Sequence, residues 1–434
     1  MRLLSARNLY RFHAYGGLWL GAHFLLFLVT GFVLLFKPAA EFKVAGAAPA
    51  LNKSYSEILR DSLARFPGER PLSLFPDEEA PRVLHLRLSP DGSGKFRGAR
   101  KLDFDLRSGA EVKGALSETG FFSFVLRLHR ELLLGSTGKI LVGVSGIILL
   151  LISLSGFLIY GRFRRGQAFD SVRFGSKPLL LADLHKWLGA AAGAWVLLVT
   201  FTGIFLAFNS LLIKLYQAQN HASLSQAYQG PAASADPALV DSVINNALAA
   251  RPGSALDFLA FPGTEFSLPA HYLLLLKTPT SFGGEVHELA VVEAATARVA
   301  EVRELPVYLK TLLLSEPLHF GDYGGLTLKI LWGSFALVCF AMTIVGIWGW
   351  FAKRTERRRP LSTKKARRLP IVRATRSAYW APLLLGLLTF TGAGVALITE
   401  GAGDIFAYLL FGAPLAALLY TGVRRFREER ARHG

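Results

Sequence analysis

Apolar residues run for membrane-like lengths six times along the chain, at roughly 14–36, 138–160, 187–212, 326–351, 379–399 and 405–422. Each run is close to the roughly 20 residues a helix needs to cross a bilayer. None shows the one-sided apolar period of a soluble surface helix. The last two are short and flank Glu400-Gly401-Ala402-Gly403-Asp404, which predicts a tight helical hairpin. Elsewhere the pattern changes. Residues 54–66 and 237–251 read as amphipathic helices, while 82–89, 101–112, 271–279 and 288–302 alternate as strands do. The predicted fold class is an all-α transmembrane helical bundle of about six spans, carrying a small α+β domain in each of two long connections.

The pattern repeats. His13 is followed by Gly17, Gly21 and the pair Thr30-Gly31; His185 is followed by Gly189, Gly193 and Thr202-Gly203 at the same spacings. A second block repeats as well. His129 leads to Gly135, Lys139, Gly143 and Gly156, and His319 leads to Gly325, Lys329, Gly333 and Gly346, with no gap. The chain thus reads as two copies of one unit: histidine, span, external domain, histidine, span. Each copy has an even number of spans, so the copies share an orientation and an axis along the membrane normal relates them. The expected layout is a first span in 1–36, a first external domain in 37–128 and spans two and three with their loop in 129–212. A second external domain follows in 213–318, then a fourth span in 319–352, a basic loop in 353–377, the hairpin in 378–423 and a basic tail in 424–434.

The formal net charge of +18 raises the question of nucleic acid, but its placement answers it. Basic residues cluster after the second span, between the fourth and fifth, and after the sixth, always on the same side. That is the bias of a cytoplasmic face, so no nucleic-acid partner is expected. It puts both termini in the cytoplasm and residues 37–128 and 213–318 outside, the layout of a multi-pass membrane protein. A cleaved leader is disfavoured because the first span is long and its twin at 185–208 is internal. One cysteine, Cys339, lies in the fourth span. Disulfides, covalent haem attachment through CxxCH and cysteine-bound iron–sulfur clusters are excluded.

Four of the ten histidines occupy equivalent places in the repeat. The two-fold relation sets His13 beside His185 at one end of the spans and His129 beside His319 at the other. Ionisable groups at membrane depth are costly and usually functional. Two imidazoles facing across a bundle can hold an iron porphyrin from either side, whereas zinc normally takes more protein ligands than two. The expected cofactors are therefore two haem b groups, with His13, His185, His129 and His319 as axial ligands to the haem iron. His23 lies inside the first span, but its counterpart is Trp195, so it is at most an alternative ligand or supporting group. Lys139 and Lys329 open their spans and either reach headgroups or face an anionic haem propionate or substrate. His85 and His271 fall in strand patterns, and His221, His287 and His433 in loops or the tail.

On the stretches from Arg11 to Gly31, Leu128 to Gly143, Asp183 to Gly203 and Leu318 to Gly333, the sequence resembles the PepSY-associated transmembrane family. Residues 102–112 look like the end of a PepSY domain. The resemblance covers about residues 7–355 and implies a di-haem membrane core with PepSY-like domains outside. It also implies reduction of a ferric siderophore in the periplasm, with the ligand roles falling on His13, His129, His185 and His319. The hairpin and His23 depart from the simplest four-span pattern. No glycine-rich loop stands in a nucleotide-binding context, and Gly135–Lys139 lacks the first glycine of a P-loop. Electrons are therefore expected from a quinol or a cytoplasmic protein donor. Two other readings remain open: a non-enzymatic PepSY module that binds or regulates a protease, with the spans as its anchor, and a haem b conduit to a different acceptor.

Overall fold

The computed structural model describes residues 5–37, 53–77, 82–112, 120–163, 172–174, 176–228, 230–278, 286–321, 323–358, 379–399 and 401–433. In chain order the elements are α1 (Ala6–Leu35), α2 (Tyr55–Arg65), β1 (Arg70–Pro76), β2 (Val83–Ser89), β3 (Arg100–Asp105), α3 (Phe121–Glu131), α4 (Gly135–Phe163), α5 (Lys177–Ala207), α6 (Asn209–Ala227) and α7 (Val240–Ala250). Then come β4 (Ala255–Ala260), β5 (His271–Thr278), β6 (Val286–Glu293), β7 (Val299–Glu304), α8 (Val307–Phe320), α9 (Gly325–Arg358), α10 (Trp380–Ile398) and α11 (Ala402–His433). They form two compact units: a helical one from residues 1–37, 121–208 and 315–434, and a second from 38–120 and 209–314. Among the described residues, six helices, α1, α4, α5, α9, α10 and α11, are long and apolar enough to cross a membrane.

Local chemistry explains where the helical unit begins and breaks. Ser5 caps α1 by accepting from the Asn8 N–H, and a proline in the first turn of α5 sits where its missing N–H costs nothing. The segments bearing His129 and His319 are separate short helices, α3 and α8, not the first turns of the spans that follow them. Between α3 and α4, Leu132 and Leu133 take positive φ (49° and 61°). Gly135 and its repeat partner Gly325 open α4 and α9 at φ +59° and +60°, a conformation that glycine adopts without a Cβ penalty. The repeated glycine six residues after each histidine is thus a backbone joint.

Aromatic rings fill the middle of the helical unit. Trp195 of α5 stacks on Phe335 of α9 (centroids 6.1 Å apart, planes 10° apart), and Trp332 stacks on Phe411 of α11 (4.9 Å, 9°). Leu28 of α1 and Ala393 and Ala396 of α10 close the cluster. The hairpin α10–α11 packs on the α5–α9 half. Small residues let it approach: Ala190, Ala191 and Ala192 of α5 are buried, and close contact between small side chains is what drives helix association in lipid. Tyr323 and Tyr408 fasten it, donating to the carbonyls of Ala393 and Gly324 at 3.2 and 2.8 Å.

The second unit corrects the expectation of two separate small domains. Its strands make one seven-stranded sheet, in the order β3-β2-β1-β4-β5-β6-β7, with antiparallel neighbours throughout. The halves join where β1 meets β4, through Ser73↔Ala260 and Leu74↔Leu259. Strands with bare edges pair with whatever edge is available, and here each half supplies the other's. Helices α2 and α7 cover one face, burying Ile58, Leu59, Val243 and Ile244 against Leu74, Leu86, Leu259 and Leu274. His287 lies on β6 instead of a loop, and its Nε2 is 3.2 Å from Asp257. His85 is buried on β2 between Asp103 (2.6 Å) and Asp77 (3.0 Å).

One ion pair in this sheet carries a testable load. Arg82 donates through Nε to Asp105 at 2.6 Å and through Nη2 at 3.2 Å, and Asp105 is nearly buried. These bonds hold the Asp105 carboxyl far below the ordinary carboxylate range, helped by Ser108 and the Arg107 N–H. A depressed carboxyl contributes stability that is present above its unfolded pKa and lost as the pH falls through its folded one. This bridge therefore persists into strongly acid solution. Breaking a buried pair from one side leaves an uncompensated charge; Arg82 keeps some solvent contact, so Arg82→Met should cost about 2–3 kcal/mol. The full-length variant should lose its strand ellipticity at a lower temperature than the parent. An unchanged midpoint would show that the pair contributes nothing.

Candidate functional site

Helix α1 runs antiparallel to α4, and α5 to α9, so the first residues of one meet the last turns of the other. His13 of α1 lies against α4: its Nδ1 is 2.9 Å from the Ile152 carbonyl. His185 of α5 lies against α9 in the same way, with Nδ1 2.9 Å from the Met342 carbonyl. The two rings face each other across the repeat, with centroids 6.0 Å apart and planes at 65°. At the other end, His129 of α3 and His319 of α8 form the second pair, with centroids 6.2 Å apart and planes at 60°. His129 Nδ1 is 2.8 Å from Thr30 Oγ1. His319 Nδ1 is 3.0 Å from the Val199 carbonyl and 3.2 Å from Thr202 Oγ1. From His13 to Thr30 is about 25 Å of helix, close to the roughly 30 Å of a hydrocarbon core. The pairs therefore mark opposite ends of the bundle.

The glycines of the repeat make room for these rings. A Cβ on Gly156 would sit 2.6 Å from His13, and one on Gly346 would sit 2.7 Å from His185. At the second pair, Gly31 stands against His129 (3.3 Å) and Gly203 against His319 (2.9 Å). The Thr-Gly dipeptide therefore does two jobs at one turn of helix. Its threonine meets the imidazole nitrogen, and its glycine clears space for the ring.

Hydrogen bonding sets the tautomer. A main-chain carbonyl only accepts, so His13, His185 and His319 each carry their proton on Nδ1. Among the described residues, Nε2 of all four histidines makes no hydrogen bond, and in a neutral imidazole so arranged that nitrogen offers a lone pair. Tying one ring nitrogen to an acceptor while the other binds metal is the usual arrangement around a metal-ligating histidine. The two pairs are almost equally spaced, with ring centroids 6.0 and 6.2 Å apart. Among the described residues there is no cluster of three or more His, Cys, Asp or Glu able to hold a metal. Two protein nitrogens per site suit an ion whose remaining donors come from a macrocycle, so the donor set, the unengaged Nε2 atoms and the glycine seats fit a haem at each pair.

The other candidates lie elsewhere. His23 is exposed on α1, outside both pairs, whereas its counterpart Trp195 is buried in the cluster that the hairpin closes. Lys139 and Lys329 are half-buried near the starts of α4 and α9 and make no ion pair among the described residues. Thr30, Thr202 and the carbonyls of Ile152 and Met342 were not singled out by residue type. The threonines did leave a signal, since both stand seventeen residues after the repeated histidine.

The architecture and site define a multi-pass helical membrane protein with a histidine pair at each end of an internally duplicated bundle. The family model "PepSY-associated TM region" matches residues 10–353, and the chain belongs to that family. An uncharacterized protein of Pseudomonas aeruginosa is 35% identical to it over 91 residues, which is 20% of this chain and 22% of that relative. The match thus spans about a fifth of the relative's length.

Proposed function

We propose that the chain is a b-type di-haem oxidoreductase of the bacterial inner membrane that carries electrons outward to reduce a ferric siderophore in the periplasm, releasing Fe(II). The observation that carries this reading is the fourfold repetition of one histidine geometry: Nδ1 tied, Nε2 unengaged, and rings paired 6.0 and 6.2 Å apart. A membrane anchor for an external binding module needs none of it. Bound haem supplies a one-electron ferric/ferrous couple at each end of the bundle. The residues would hold and orient the groups: His13 and His185 at the end beside the basic segments, His129 and His319 at the other. An oxygen-rich chelator holds Fe(III) better than Fe(II), so delivery of an electron weakens its grip. Quinol or a cytoplasmic protein is the proposed donor.

Colour is the first test. Protein purified from haem-replete cells should show a sharp Soret band and yield all its haem to acid–acetone, because no cysteine can anchor it. In proteoliposomes, the reduced protein should transfer electrons to a ferric siderophore, and a ferrous indicator should trap the Fe(II) released. Colourless protein would sink the reading. Haem-loaded protein inert toward every ferric chelate offered would leave a haem conduit to another acceptor.

The charge bias gives a separate prediction of sidedness. A reporter fused after Lys353 should read cytoplasmic, and one fused near Gly230 periplasmic. The opposite pattern would reverse the proposed direction of electron flow.

A further inference from the structure

The first pair ties its imidazoles to main-chain carbonyls, while the second pair brings hydroxyls to them. Thr30 Oγ1 lies 2.7 Å from the Leu26 carbonyl and 2.8 Å from His129 Nδ1. A hydroxyl has one proton. With that proton donated to Leu26, the oxygen can only accept from His129, which must then carry its own proton on Nδ1. Thr202 repeats the arrangement: it donates to Leu198 at 2.9 Å and stands 3.2 Å from His319 Nδ1.

Bonding back to the fourth preceding carbonyl is common for threonine in membrane helices. Thr343, Thr389 and Thr421 do so here, at 2.8, 2.9 and 2.7 Å, and among the described residues none of them is hydrogen-bonded to a histidine. Thr30 and Thr202 differ in that the same oxygen meets an imidazole, and in that they occupy one position of the repeat. They also differ from each other. His319 has a second acceptor, the Val199 carbonyl at 3.0 Å. For His129, Thr30 is the acceptor that the structure provides.

We propose that Thr30 and Thr202 are positioning residues of the second pair, fixing the ligating tautomer and raising the basicity of the axial imidazole, with His129 dependent on Thr30 and His319 only partly dependent on Thr202. This rests on the haem reading of the site. An acceptor on Nδ1–H makes the ring a stronger donor, and a stronger donor favours ferric over ferrous iron. Removing it should therefore raise the reduction potential of that haem and leave the other unchanged.

The experiment is a spectroelectrochemical titration with low-temperature EPR on full-length protein in detergent, comparing the parent with Thr30→Val, Thr30→Ser and Thr202→Val. Thr30→Val keeps the shape and deletes the acceptor. It should shift one haem to a more positive potential, alter one low-spin EPR signal and leave the second haem as an internal control. Thr30→Ser should return both readouts toward the parent, and Thr202→Val should shift the same haem less. If Thr30→Val cannot be purified, Thr30→Ala, which also deletes the acceptor, carries the same contrast against Thr30→Ser. Unmoved potentials and spectra in Thr30→Val and Thr202→Val, with two haems present, would overturn this proposal alone. So would a serine variant that behaves like valine. A parent protein without haem would overturn the haem reading and this proposal with it.

Discussion

On the proposed di-haem reading, His129→Ala and His319→Ala should each strip the same haem from the protein, and the double variant should lose no more than either single one. Haem measured against protein should fall by half in all three. The two imidazoles contribute to one site from opposite copies of the repeat, with ring centres 6.2 Å apart. An iron that loses one axial nitrogen loses its low-spin ligation, and the remaining half-site grips the porphyrin poorly. His13→Ala and His185→Ala should share the other haem in the same way. The second-pair variants should keep a haem that dithionite still reduces, yet fail to pass electrons to a ferric siderophore. If His129→Ala and His13→Ala removed one and the same haem, pairing across the repeat would be wrong. His23 would then be the first residue to test for a missing ligand.

On the same reading, Gly156→Ala should weaken haem binding at the first pair although it changes no ligand. The added methyl would lie 2.6 Å from the His13 ring, nearer than side-chain carbons approach. The ring cannot step aside without leaving the Ile152 carbonyl. Overpacking of this kind costs about 1–3 kcal/mol, which corresponds to roughly 5- to 150-fold in haem affinity. Gly346→Ala should behave alike at His185, where the distance is 2.7 Å, while Gly31→Ala, at 3.3 Å from His129, should retain most of its haem. Competition against apo-myoglobin would rank the three. A Gly31 variant weaker than the Gly156 variant would contradict the steric ordering.

The histidine pairs were legible because duplication preserved residue type and spacing together. His13 and His185 recur with their glycines, and the geometry that joins them follows from two parallel copies around one axis. The roles of Thr30 and Thr202 were not legible: their register was plain, but nothing in a linear string tells which of many membrane threonines meets a ring nitrogen. Helix α3 was hidden for a different reason. Leu132 and Leu133 break it from α4 with left-handed backbone, a conformation that no leucine propensity forecasts. β1 was missed because Pro71 and Pro76 argue against a central strand. The prolines sit at its ends, and a register shift between Pro71 and Ser73 absorbs the first. The single sheet was out of reach because pairing of β1 with β4 is a contact between segments far apart in the chain.

That contact also has a consequence in time. When β1 is made, β2 and β3 soon follow, but β4 comes only after α4 and α5 have been synthesised. At translation rates of about 5–20 residues per second, the wait is on the order of ten to forty seconds. Throughout it the free side of β1 is an open template for any neighbouring strand, including β4 of another nascent copy. Biogenesis therefore has a vulnerable interval that the finished protein does not show.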